Sequence, residues 1–195
     1  AEDADRIDRF YRAGCVYKDK IGELESAETW FLKALELDDS NLEVLQAVKE
    51  IKETNGEWSE AVSTLQKMES AARRLEDKSR WLFEIGRIHE RHLDEPDLAV
   101  DFCEQAMDLW PENVDAAEVL VDVYSNAENW ARTEPLLDLL IVQVQDIDPE
   151  RAHRLNFRLA VCAEHLHKED KALVHYRQAY DLDSTHLETL ERMGQ

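Results

Sequence analysis

The 195-residue chain is poor in the residues that make tight turns: it holds 5 glycines and 4 prolines. A fold with many hairpin loops is disfavoured, and helices joined by short connections are expected. Cysteine is also scarce. Cys15, Cys103 and Cys162 are odd in number and form no Cys-x-x-Cys, so neither a disulfide framework nor a zinc site is indicated. Reduced structural thiols are the expectation. No apolar run approaches the ~20 residues of a membrane-spanning helix, so membrane insertion is not expected. Positive charge is the next shortage. Lys and Arg total 23 against 44 Asp and Glu, a net charge of −21. A field of that sign repels phosphate backbones and anionic headgroups, so nucleic acid is not an expected ligand. A protein with a basic segment suits it better, although the same acids also serve simply to solvate the surface.

Catalytic signatures are missing as well. There is no Gly-rich phosphate loop, no Gly-x-Ser-x-Gly and no His-Glu-x-x-His. No catalytic residue, metal or cofactor is assigned, and the chain is not expected to be an enzyme. His89 and His92 are three apart on a helix and could share a metal; surface histidines explain them more simply. His165 and His167, two apart, point to different helical faces. The opening AEDADRIDRF is polar and acidic, unlike a signal peptide. A cytoplasmic location is expected, with an upstream signal left open.

What is present is a repeat. ETWFLKALELDDSN (28–41) returns as VDFCEQAMDLWPEN (100–113) and as LVHYRQAYDLDSTH (173–186). Gly14 and Gly86 are 72 positions apart, as are Ala27 and Ala99, Ala34 and Ala106, and Trp58 and Trp130. Phe31, Ala34 and Leu35 fall at i, i+3, i+4 on one helical face. Gly14, Ala27, Gly86, Ala99, Ala160 and Ala172 are small where two helices would cross, and a bulky side chain there would hold the axes apart. Asp183 and Pro111 mark helix exits.

Each 72-residue unit divides in two, and each half resembles the tetratricopeptide repeat, a helix–turn–helix of about 34 residues. The first copy carries Phe10, Gly14, Tyr17, Ala27, Phe31 and Ala34; the third carries Leu82, Gly86, Ala99, Cys103, Ala106 and Pro111. The second departs from the pattern with Lys49 at the small position. The first and third copies carry one extra residue between their helices.

The resemblance implies an all-α solenoid of stacked helix–turn–helix repeats with a right-handed superhelical course, about eleven helices in all. The expected repeats are 7–41, 42–78, 79–113, 114–152 and 153–186, with a partial sixth at 187–195. Residues 1–195 read as one continuous domain, a piece of a longer array. Long helices are expected near 58–76 and 131–146, with Pro135 in the first turn of its helix. The alternating turn lengths resemble long arrays of bacterial proteins.

In this family the first helix of each pair lines a concave groove. Register then gives the groove candidates: Tyr11, Arg80, Phe83, Arg87, Arg154 and Phe157 from odd repeats, and Glu50, Glu118 and Asp122 from even ones. Tyr11, Phe83 and Phe157 would form an aromatic ladder, with rows of acid between. Aromatics and arginines are favoured interface anchors. The alternative is that the rings belong to the core and the charges pair across the groove. The Lys and Asn of the family's carboxylate clamp are replaced by Tyr11, Cys15 and Ala47, so that clamp is not expected.

The expected function is a non-catalytic scaffold binding a protein or peptide segment, basic or mixed in charge. The alternative is the regulatory or sensor arm of a larger enzyme, a protease or kinase, whose catalytic domain it holds. A helical-repeat RNA-processing module fits the charge poorly. Self-association through end hairpins is a further expectation.

Overall fold

A computed structural model of the protein describes residues 2–144 and 147–194. Among the described residues there are eleven α-helices and no strand. The chain divides into two compact units, Ala1–Pro111 and Glu112–Gln195. Gln195, the last residue of the expected sixth repeat, lies outside the described residues.

The first unit contains three hairpins: α1 (Glu2–Val16) with α2 (Leu24–Leu35), α3 (Leu42–Asn55) with α4 (Trp58–Ala71), and α5 (Leu75–His92) with α6 (Pro96–Leu109). Each helix packs on the next in sequence. The 3.6-residue apolar period sets the faces. Phe31 and Ala34 of α2 meet Val44, Val48 and Ile51 of α3 in one cluster. Leu45, Leu65, Met68, Ile85 and Ile88 form the next. The second unit contains α7 (Val114–Asn126) with α8 (Trp130–Val144), α9 (Pro149–His165) with α10 (Glu169–Leu182), and the short α11 (Leu187–Met193).

The 72-residue period reappears in the caps. Asn41 Oδ1 accepts from the Val44 N–H at 3.2 Å, and Asn113 Oδ1 from the Ala116 N–H at 3.0 Å. The third copy, offset by 74 and 73 residues at these positions, repeats an inner contact: Ser79 Oγ donates to the Ala106 carbonyl at 2.7 Å, and His153 Nδ1 lies 2.9 Å from the Ala179 carbonyl. The small crossing residues are buried as expected.

The extra residue of the first and third repeats is visible in the turns. The backbone bond closing the turn spans six residues there, Glu23 N–H to Tyr17 O and Glu95 N–H to His89 O, both 3.0 Å. It spans five in the others, as in Glu57 to Lys52 at 2.8 Å. In the first turn the surplus is taken up by a π-helical segment, Tyr17–Ile21, ended by Gly22 at φ 79°.

Three local expectations fail. α4 stops at Ala71 rather than near 76, because Ala72 turns extended and α5 begins at Leu75. Apolar residues continue through the reversal (Ala71, Ala72, Leu75), so periodicity alone ran past it. The long helices are the odd-repeat α5 and α9, of 18 and 17 residues, against 14 for α4 and 15 for α8. The end of the expected 131–146 helix, residues 145–146, lies outside the described residues. Pro135 sits inside α8, beyond its first turn, because the helix already opens at Trp130. Its missing N–H removes one bond to the Ala131 carbonyl, at a point where both residues are exposed.

Candidate functional site

The first helices of the hairpins carry the expected residues. In the first unit, Tyr11 of α1 packs its ring 5.7 Å from Phe31. Its hydroxyl is held near Cys15 and Glu43; burial, and then these two neighbours, push its pKa up. Glu50 of α3 accepts from Gln46 at 2.9 Å and pairs with Lys18. Burial alone would raise the Glu50 pKa, but the hydrogen bonds from Lys18 and Gln46 prevail and lower it.

On α5, the Arg80 guanidinium lies 4.3 Å over the Trp81 ring and 3.4 Å from Asp77. Arg87 donates to Glu84 at 2.7 Å, and Phe83 is half-buried. A cleft of about 570 Å³ opens between α3 and α5, with Met68 of α4 in its wall. Of the expected residues only Arg80 lines it; Phe83 and Arg87 do not.

In the second unit, Glu118 and Asp122 stand one turn apart on α7 and face α9. Glu118 pairs with Arg151, and Asp122 with Arg158 at 2.7 Å. Arg154, between those arginines, reaches back to Glu150 at 2.8 Å. These groups wall a cleft of about 240 Å³ whose apolar lining is Val121, Leu140 and Leu155. Glu118, Asp122 and Arg154 are thus brought together. Phe157 is not: its ring lies 5.8 Å from Tyr176 and edge-on to His186 at 5.1 Å, in the α9–α10 core.

Arg151 was missed in the sequence because it precedes the expected repeat start at 153. Its spacing to Arg154 and Arg158, i+3 and i+7 on one helical face, was the available signal.

Of the histidines singled out in the sequence, His89, His92 and His165 are engaged in packing, while His167 is exposed. His89 Nδ1 lies 2.7 Å from Glu95 and its ring stacks on Phe102, while His92 stacks on Trp58 at 3.5 Å. His165 stacks on Trp130 at 4.3 Å. Among the described residues no group of three or more His, Cys, Asp or Glu could hold a metal ion, and no helix is long and apolar enough to cross a membrane.

Residues 7–41 match the tetratricopeptide repeat family. The chain is built from tetratricopeptide-type repeats. Solved tetratricopeptide arrays share its fold along most of its length. YrrB, described as a tetratricopeptide protein with an unusual peptide-binding site, aligns over 100% of this chain and 99% of its own, at 18% identity and a TM-score of 0.54. MamA aligns over 95% and 96%, at 17% identity and 0.58. The C-terminal part of a tetratricopeptide protein from Cytophaga hutchinsonii aligns over 95% and 72%, at 14% identity and 0.60. At these identities the likeness is one of tetratricopeptide fold. No curated protein matches the chain in sequence.

Proposed function

We propose that this tetratricopeptide chain is a non-catalytic scaffold that binds a protein or peptide segment on the faces formed by its first helices. The α7/α9 cleft carries the reading: an apolar lining walled by two acids and three arginines. Such a wall offers an apolar side chain a place to bury and offers charged groups exchangeable partners. The exchange is inexpensive. Asp122 and Arg158 are 68% and 38% exposed at the side chain, and pairs of that kind contribute about 0–1 kcal/mol. The excess of acid over the whole chain favours a partner with a basic stretch. The fold shared with YrrB, which has a peptide-binding site by its description, is consistent with this use.

The test is capture of partners from native lysate on the full chain, washed at low and then high salt, with identification by mass spectrometry. The comparison variant is Glu118→Gln with Asp122→Asn. Neutralisation is chosen over charge reversal, which would set new cations against Arg151 and Arg158. A salt-eluted partner retained about tenfold less by the variant is expected. Equal retention on both proteins would remove the α7/α9 cleft from the binding surface.

A further inference from the structure

Among the described residues, the reversal between α4 and α5 is the one interhelical segment that carries arginine. Arg73 and Arg74 lie there, and both are exposed, as are Leu75 and Glu76 after them. Ala72 and Arg74 have extended backbones, at φ −66°, ψ 139° and φ −92°, ψ 137°. Every other described Lys or Arg sits within a helix except Lys168, which pairs with Glu134 and is followed by the acids Glu169 and Asp170.

The start of α5 is weakly held. Asn41, Asn113, Asp148 and His186 cap α3, α7, α9 and α11 by accepting a backbone N–H, whereas Arg74 at the head of α5 makes no such bond. An arginine there meets the positive end of the helix, and its pair with Glu76 joins two exposed side chains, a weak tether. Leu75 is 53% exposed, so little packing holds the first turn. An uncapped first turn opens readily, and exposed reversals are where chains are nicked. The body of the joint is different. Leu65 and Met68 of α4 share a buried cluster with Ile85 and Ile88 of α5, Lys78 pairs with Glu69 at 3.0 Å, and Trp58 stacks on His92. A break at the reversal leaves all of those contacts whole.

We propose that Arg73 and Arg74 form a processing site for a trypsin-like endopeptidase, and that the two pieces stay together once cut. Such an enzyme takes an extended segment and seats an arginine in a pocket with an acid at its base. Arg74 fills that pocket, with Arg73 before it and Leu75 after it. Water adds across the Arg74–Leu75 amide: the C–N bond breaks, the hydroxyl joins the Arg74 carbonyl carbon and the hydrogen joins the Leu75 nitrogen. The hold of the first two hairpins on α5 then becomes noncovalent, and so dependent on concentration. The site goes beyond the scaffold reading and does not rest on it.

The test is brief digestion of the full chain with trypsin under native conditions, read by intact mass and by gel filtration. The expected first products are 1–74 with 75–195, or 1–73 with 74–195, running as one species at the volume of the uncut chain and parting only in denaturant. Arg73→Gln with Arg74→Gln changes two exposed side chains, and its folding is checked by circular dichroism. It should slow the first cut about tenfold, because the remaining sites must wait for a helix or an ion pair to open. A first cut at any other bond, an unchanged rate in the folded variant, or pieces that separate in native buffer would overturn the proposal. Partner capture through Glu118 and Asp122 is read on the uncut chain, so failure here leaves that result standing.

Discussion

Phe31 occupies the space that a side chain at Gly14 would need: a Cβ built there would lie 2.4 Å from Phe31 Cε1. The ring is fully buried beneath α1, so it has no open direction in which to yield. Gly14→Ala is expected to destabilise the protein by about 1–3 kcal/mol, the usual cost of overpacking. Combining it with Phe31→Leu, which frees the space, should cost less than the two single changes summed. Chemical denaturation of the four proteins measures this directly.

The stacks of Trp58 on His92 and Trp130 on His165 join the second helix of one hairpin to the first helix of the next. Their interplanar angles are 8° and 6°. A double-mutant cycle on Trp58 and His92, each changed to Ala, is expected to give a coupling of about 0.5–1.5 kcal/mol. The equivalent cycle on Trp130 and His165 should give the same sign. Zero coupling in both would mean that the stacks fill space without linking the hairpins.

Stability of the second unit should fall in two steps as the medium is acidified. Burial, and then the Lys171 charge, lower the His175 pKa below its ordinary 6.5; Asp138 and Gln178 oppose them. The native state then resists a proton that the unfolded chain accepts. The contribution is full above 6.5 and is lost as pH falls from there toward the depressed native value. Glu134 behaves alike at lower pH. Burial would raise its pKa, but hydrogen bonds from Lys168 and Lys171 bring it below 4.5, so its contribution holds above that value and is lost on further acidification. His175→Gln should flatten the first step and leave the second; melting curves across the acid range would show both.

The packing of this fold was more legible in the sequence than its surface. Gly14, Ala27, Phe31 and Ala34 betray the hairpin because a crossing point tolerates only small residues on one side and demands a large one on the other. The turn lengths were legible too, since one inserted residue shifts every later match. Helix ends were not: apolar spacing runs on through Ala71, Ala72 and Leu75, and only the backbone shows the reversal at Ala72. Register could place Phe157 on a first helix but could not give the rotation that turns its ring to Tyr176 and His186. Partners escape for a similar reason. That Glu118 faces Arg151, and Asp122 faces Arg158, depends on how α7 and α9 lie together, and neither helix carries that information alone.

The most direct test of the scaffold account is hydrogen–deuterium exchange on the full chain with and without a captured partner. The account predicts added protection in α7 and α9 around Glu118, Asp122 and Arg154, with α8 and α10 changed little. Protection confined to α8 and α10 would contradict it and place the partner on the second helices instead.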